Sequence, residues 1–186
     1  MQELLDKWGI KIDYNTILAK WNESHRGYHT QTHLLDVIDQ INEQRLDISQ
    51  MDYEKLILCG LFHDIIYDPA SQTNEEDSAD FFMKCVSDRQ NFEHINDIKQ
   101  MILDTKTHEA QTPLSEKFNE IDMKIVERDY DSLLEWEEGI HKEFGSVYPD
   151  EMYKIGRLQF LESLMDKYPN NSDNLLKLVD YVKENY

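Results

Sequence analysis

The sequence predicts an all-α fold, organised as a single helical bundle. Only four prolines and six glycines interrupt its 186 residues. Apolar residues recur at three- and four-residue steps through most of the chain, which is the spacing of one helix face. No alternation of polar and apolar residues is long enough to suggest a sheet. A chain of this length can bury one substantial core, so we predict a single domain over residues 1–186.

The predicted helices follow from this spacing and from capping signals. The first spans residues 13–22 and the second residues 30–41, with a polar break between them. Ser49 or Asp52 can cap a third helix whose apolar positions lead into His63 and Asp64. Pro69 is predicted to end that helix, because proline cannot continue the hydrogen-bond ladder.

The second half of the chain is also predicted to be helical. Thr73 and Glu76 fit a capping box for a helix that runs to about residue 87. His108 lies just past the end of the next predicted helix, where a histidine can also simply interact with terminal carbonyl groups. The remaining predicted helices cover residues 92–106, 116–126, 130–144, 149–165 and 173–184.

The strongly acidic composition limits the classes of partner. With 38 acidic and 19 basic residues, the formal net charge is -19, which disfavours binding to nucleic-acid polymers or to an anionic membrane surface. A small anionic substrate is still compatible, because a metal ion and a few cations can reverse the potential of one pocket. The N-terminus has no signal-peptide pattern and no apolar segment approaches membrane-spanning length, so we predict a cytoplasmic protein. Cys59 and Cys85 lack paired spacing and are predicted to be reduced.

His63 and Asp64 are adjacent polar residues inside an apolar run at residues 61–67. An unpaired carboxylate taken out of water costs several kcal/mol, so the pair requires compensation. A bound metal ion would compensate most strongly, and a buried structural pair without metal is the alternative. His29 and His33 are four residues apart, which places both imidazoles on one helix face.

Four side chains form the predicted metal-ligand set: His33, His63, Asp64 and Asp122. Together they supply two neutral nitrogens and two carboxylates. This set suits a divalent ion, with manganese, iron, cobalt, nickel, zinc and magnesium all compatible.

The order of these motifs resembles that of a known family. A His, a His-Asp pair and a distant Asp, all on predicted helices, are similar to the HD superfamily of metal-dependent phosphohydrolases, and most of all to its small predicted phosphohydrolases. The similarity extends over residues 21–165. It rests on Tyr28-His29 with His33-Leu34, Phe62-His63-Asp64 with Tyr67-Asp68, Asn74-Glu75 with Ser78-Ala79, residues 105–108, and Gly156-Arg157 with Phe160-Leu161.

The resemblance implies an all-helical HD domain whose metal ligands are His33, His63, Asp64 and Asp122. One departure concerns the last motif, where the family usually shows Asp-Ala-Asp-Leu and this chain has Glu120-Ile121-Asp122-Met123. The second acid is retained, so Asp122 still qualifies as a ligand. The role of position 120 is left open by the longer side chain.

The activity implied is hydrolysis of a small phosphate ester, nucleotides included, by metal-activated water. Arg26, Lys106 and Arg157 are the candidate cations for the substrate's phosphoryl group, although such residues are often solvated surface cations. Glu75 and His29 are the candidate catalytic proton donors, with Asp68 a third. Each of the first two also has a structural reading, Glu75 as a first-turn acid and His29 as a capping residue.

Two alternatives to this activity stay open at the level of sequence. The first is an HD-fold di-iron oxygenase, for which His29, His108 and Glu120 are the available additional ligands. The second is a nucleotide- or metal-binding module without turnover. The sequence leaves the substrate, the metal, the number of metal ions and the oligomeric state undetermined.

Overall fold

The all-α prediction is confirmed by a computed structural model, which describes residues 1–87 and 92–186. Within these ranges there is no β-strand, and Ile10 and Val86 form only an isolated bridge. No helix in the described ranges is long and apolar enough to cross a membrane. The helices are α1 (Gln2–Lys7), α2 (Tyr14–Trp21), α3 (Gln31–Glu43), α4 (Gln50–Phe62), α5 (Asn74–Cys85), α6 (Phe92–Asp104), α7 (Pro113–Asp122), α8 (Tyr130–Phe144), α9 (Asp150–Lys167) and α10 (Ser172–Asn185), with 3₁₀ turns at Met123–Glu127 and Pro169–Asn171.

The chain divides into two compact units. The first contains residues 1–23 and 29–122, and therefore α1 to α7, whereas the second contains residues 24–28 and 123–186, with α8 to α10. Each unit has its own cluster of buried apolar side chains. The single domain over residues 1–186 stays a prediction.

Helix α4 is the centre of the first unit. Its residues 56–62 are all buried, and α3, α5, α6 and α7 each pack against it. Gly60 packs closely against α3, because a Cβ atom there would lie 3.3 Å from Val37 Cγ1. The absence of a side chain at Gly60 therefore lets the helix that carries His33 pack closely against the helix that leads to His63.

Helix α1 is an element that the sequence did not predict. It is six residues long, too short to be stable alone. Its attachment comes from Glu54 on α4, a buried carboxylate that accepts hydrogen bonds from Lys7 Nζ at 2.6 Å and Trp8 Nε1 at 2.8 Å. These contacts join residues more than 40 positions apart, which no local pattern reveals.

Three local predictions are wrong in detail. His29 precedes Thr30, the N-cap of α3, and therefore does not share a face of that helix with His33. Helix α4 ends at Phe62, several residues before Pro69, and His63 is its C-cap. Thr73 does not form a capping box, because its side chain accepts no hydrogen bond from the helix backbone and its hydroxyl instead donates to the Asp77 carboxylate. Glu76, the other member of the expected box, pairs with Lys106.

In the second unit, the bounds of α8 match the predicted helix at residues 130–144, and α10 packs against both α8 and α9. The short segment of residues 24–28 lies along α8. The carboxylate of Glu143 accepts hydrogen bonds from the backbone N–H groups of Gly27 and Tyr28, at 2.7 and 2.8 Å. Gly27 is required at this contact, since a Cβ atom there would lie 2.1 Å from the carbonyl oxygen of Gly139.

Candidate metal centre

The predicted metal ligands converge in the first unit. His33, His63 and Asp64 each offer one donor atom, and these atoms all lie within 4.8 Å of one another. Asp122 joins them, since its Oδ1 atom is 3.1 Å from His33 Nε2 and 3.4 Å from His63 Nε2. The four side chains come from the first turn of α3, the end of α4 and the last residue of α7. His33, His63 and Asp64 thus form a group that could hold an ion, and the Asp122 carboxylate borders it through its contacts with both imidazoles.

The ring of His63 is fixed in an orientation suited to metal binding. Its Nδ1 atom is 3.0 Å from the carbonyl oxygen of Gly60, which can only accept a hydrogen bond. With Nδ1 as donor, Nε2 keeps its lone pair for a ligand. The rings of Trp21 and Phe118 pack against His63, each with its centroid 5.3 Å away. Trp21 is itself anchored through its indole N–H, which donates to the carbonyl of Leu61 at 3.1 Å.

The two carboxylates of the centre need a positive charge beside them. Burial lowers the pKa of His63, but the carboxylates of Asp64 and Asp122 outweigh it and raise that pKa well above its usual value. For Asp64 and Asp122, burial raises the pKa, but the charge of His63 and hydrogen bonds from imidazoles lower it below the usual range. Without a metal, protonated His63 supplies the positive charge that the two carboxylates need. A divalent ion would take the place of that proton.

The type of donor decides which ions fit. Imidazole nitrogens and carboxylate oxygens suit borderline and hard divalent ions. Cys59 lies one turn before His63, but burial raises the pKa of its thiol, and the charges of Asp122 and Asp64 raise it further. The thiol therefore stays protonated and adds no thiolate to the set. The residues fit a divalent cation.

His108 contacts the second oxygen of Asp122, with its Nε2 atom 3.3 Å from Asp122 Oδ2. Its φ of 54° is the only positive φ at a non-glycine among the described residues. Such a conformation costs about 1–3 kcal/mol and persists only where the surroundings enforce it. Asp104 helps to enforce the conformation of the His108 loop, because its carboxylate accepts hydrogen bonds from the backbone N–H of Gln111 and the hydroxyl of Ser115.

Asp104 is a residue that sequence reasoning missed. It is buried at the end of α6, and its hydrogen bonds connect the loop of residues 105–112 to α7. The loop carries His108 and α7 carries Asp122, so Asp104 fixes the two elements that bring these side chains together. The available signal was an acidic residue ending an otherwise apolar helix face. That signal is weak, since it does not show which groups the carboxylate would bind.

The segment after Asp64 is held by residues of another predicted motif. The hydroxyl of Ser78 on α5 accepts from the backbone N–H of Ile66 and donates to its carbonyl, both at 3.1 Å. The side chain of Asn74 makes a matching pair of bonds with the backbone of Asp68. The Asp68 carboxylate accepts from the N–H of Ala70, which is a turn-forming contact.

The two candidate proton donors lie near Asp64. Burial raises the pKa of Glu75, the negative charge of Asp64 raises it further, and a backbone hydrogen bond and Lys106 partly oppose the rise. His29 Nε2 is 3.9 Å from Asp64 Oδ2, and its ring stacks on Tyr67 with centroids 4.3 Å apart. Their catalytic roles stay predictions.

The three candidate cations have different surroundings. Lys106 belongs to the first unit, where its ammonium donates to the Glu76 carboxylate at 2.6 Å and to the carbonyl of Gln72 at 2.7 Å. Arg26 and Arg157 belong to the second unit, and both are buried. The reading of Arg157 as a solvated surface cation is therefore wrong. All three substrate-binding assignments stay predictions.

The comparison with known proteins adds no family to these observations. No protein-family model matches the chain, and neither the curated proteins nor the solved structures yielded a match. The geometry of the centre is therefore the basis for any functional conclusion.

Proposed function

We propose that this protein is a metal-dependent phosphohydrolase of the HD type that hydrolyses a small phosphate ester. The observation that carries the proposal is the convergence of His33, His63 and Asp64 within 4.8 Å, with Asp122 contacting both imidazoles. The order of these ligands along the chain supports the HD assignment. Their neutral-nitrogen and carboxylate chemistry supports manganese, iron, cobalt, nickel, zinc or magnesium as the ion.

A divalent ion bound at this centre supplies a Lewis acid and a water molecule of lowered pKa beside the phosphorus atom. The chain's own residues prepare the centre for that task. The bond from His63 Nδ1 to the Gly60 carbonyl keeps Nε2 unprotonated in the loaded state, and His108 holds the second oxygen of Asp122. The ligands are thus oriented before the substrate arrives.

Glu75 is the proposed general acid. A leaving alkoxide needs a proton, and a carboxyl group whose pKa is raised by burial and by Asp64 keeps its proton closer to neutral pH. His29 is the second candidate, because its contact with Asp64 places it at the edge of the ligand cluster. Lys106, which belongs to the first unit with the metal ligands, is the proposed contact for the substrate's phosphoryl oxygens. The same role for Arg26 and Arg157, which belong to the second unit, stays a prediction from the family resemblance.

A di-iron oxygenase is the second candidate function, and one observation favours it. Asp122 contacts His33 and His63 through one oxygen and His108 through the other, as expected of a carboxylate shared by two metal positions. Glu120, the third additional ligand expected for this function, is exposed on α7, which weakens the case. Two irons per chain and substrate-dependent oxygen consumption would establish it over hydrolysis.

The proposed substrate is a small phosphorylated molecule and not a nucleic-acid polymer or a membrane lipid. The net charge of -19 would repel an extended polyanion, whereas a single phosphate can be bound by a metal and a local cation. We also propose a cytoplasmic location, where phosphorylated metabolites are found.

The test begins with apo protein prepared by chelation and loaded with one divalent metal at a time. Each form is incubated with a panel of phosphorylated metabolites, with separate detection of phosphate and pyrophosphate. We expect metal-dependent release from at least one substrate, and loss of both bound metal and release in His63→Ala. Full activity of that variant would overturn the proposal, and binding without turnover would favour a non-catalytic module.

A further inference from the structure

Trp21, the last residue of α2, contacts both imidazoles of the candidate metal centre. Its side chain is fully buried, and its ring centroid lies 5.3 Å from that of His63 and 6.1 Å from that of His33. The two imidazoles come from different helices, and their planes are inclined to each other by 71°. One rigid side chain therefore borders both ligands and can fix the angle between them.

Trp21 also takes part in ending α4. The last carbonyl groups of a helix have no partner within the helix and need donors from elsewhere. At the end of α4, the Gly60 carbonyl lies 3.0 Å from His63 Nδ1, and the Leu61 carbonyl accepts a hydrogen bond from Trp21 Nε1 at 3.1 Å. A ligand ring and the tryptophan beside it thus serve two successive carbonyl groups.

These contacts give a physical reason for the position at which α4 ends. Pro69 carries the stronger stop signal, yet the helix ends at Phe62. A buried carbonyl without a donor is destabilising, so the chain can leave the helix here only because Leu61 receives the indole N–H. The ligand pair His63-Asp64 follows directly, and its place in the centre depends on where the helix stops.

We propose that Trp21 is a positioning residue of the metal centre. Its indole N–H fixes the end of α4 before the ligand pair, and its ring holds the imidazoles of His33 and His63. Removing these contacts lowers metal affinity in addition to stability. The inference rests on the metal centre of the proposed function, but it concerns the ion alone and no substrate.

The experiment compares Trp21→Phe with Trp8→Phe in the full chain. Trp8 is the matched control, because it is a buried tryptophan of the first unit whose indole N–H also donates to α4, at Glu54. Glu54 lies more than two helical turns before His63, so this contact is lost away from the ligands. Zinc affinity is measured by competition with a chelator, and the stability of the metal-free protein by urea unfolding.

Both phenylalanine variants should unfold at a lower urea concentration than the wild type, because each loses a buried hydrogen bond. Only Trp21→Phe should lose zinc affinity, by about 10–100-fold, as for other residues that orient ligands. Trp21→Leu, which also removes the ring from the imidazoles, should lose more. The affinities are compared under conditions in which circular dichroism shows each variant to be folded.

A second measurement does not depend on the folding of a Trp21 variant. The three tryptophans of the chain give three indole N–H signals in a nitrogen-15 correlation spectrum. Zinc takes the place of the proton on the imidazole beside Trp21, so the signal of Trp21 should shift most on loading. Trp8→Phe and Trp136→Phe assign that signal by elimination.

The results that contradict the proposal differ from those that contradict the proposed function. Equal zinc affinity in Trp21→Phe and Trp8→Phe, or a Trp21 indole signal that does not respond to zinc, would overturn this inference and leave the proposed hydrolysis intact. A wild-type protein that binds no divalent metal would overturn both.

Discussion

Both units bury carboxylates, but they neutralise them in different ways. In the second unit, Glu137 is paired with Arg157, whose charge is permanent, and with the hydroxyl of Tyr153. In the first unit, Asp64 and Asp122 face imidazoles, which carry a positive charge only when protonated. The comparison indicates that the Arg157–Glu137 pair of the second unit keeps its charge balance at all ordinary pH values. In the proposed metal centre of the first unit, by contrast, a divalent ion would replace the proton of an imidazole.

The largest effect should come from removing a ligand charge in the first unit. Asp122→Asn keeps the shape of the side chain but removes the charge that faces both imidazoles, so we expect metal-dependent activity to fall by at least about a thousandfold. Bound metal, measured by elemental analysis after dialysis, should fall with it.

Glu120→Gln is the matched control, because it changes an exposed carboxylate two residues away on the same helix. It should keep wild-type metal content and activity. If Glu120→Gln lost activity as Asp122→Asn does, position 120 would belong to the centre and the di-iron alternative would gain support.

The ion pair of the second unit should respond in stability. Arg157→Gln leaves the fully buried Glu137 without its cation, and breaking a buried pair in this way costs about 3–5 kcal/mol. Urea unfolding measures the loss. Adding Glu137→Gln should restore part of the stability, because no buried charge is then left unpaired, whereas a double variant as unstable as the single one would contradict this account.

Glu75 tests whether the first unit carries out proton transfer. Since a general acid works only when protonated and burial raises the pKa of Glu75, kcat should fall as pH rises through that raised pKa. Glu75→Gln should lower kcat about a hundredfold and remove this alkaline limb from the pH profile.

Glu76→Gln is the control for the pH profile, because Glu76 lies in the same turn but is paired with Lys106, which lowers its pKa. This variant should keep the alkaline limb. A limb that persists in Glu75→Gln would transfer the acid role to another group, with His29 the next candidate.

The sequence was informative where the signal was local. The polar pair His63-Asp64 within an apolar run indicates a need for compensating charge, and the order of the motifs predicts a four-ligand set that also contains His33 and Asp122. The structure brings His33, His63 and Asp64 together, with Asp122 against both imidazoles. The helical class followed from the periodicity of the apolar residues. Helix ends were less predictable, since Phe62 ends α4 although Pro69 carries the stronger local stop signal.

The remaining features depend on contacts between distant residues. The docking of α1 depends on Glu54, and the bracing of the His108 loop depends on Asp104. The partner of Arg157 is twenty positions earlier in the chain. Nothing in the sequence distinguishes Glu54, Asp104 or Glu137 from the many solvated carboxylates of a chain with 38 acidic residues. Only the folded structure shows that these three are structural.

The smallest predicted effect concerns support for the ligands. Ser78→Ala leaves the backbone N–H and carbonyl of Ile66 without their partner, which should cost about 1–3 kcal/mol of unfolding free energy. Because Ile66 follows the ligand pair by two residues, metal affinity should also fall, by about 10–100-fold, as for other residues that position ligands. Ser78→Thr keeps the hydroxyl and should retain more of that affinity than Ser78→Ala, although the added methyl group must fit a buried site. Equal metal affinity in Ser78→Ala and the wild type, measured by competition with a chelator, would mean that Asp64 is positioned by α4 alone.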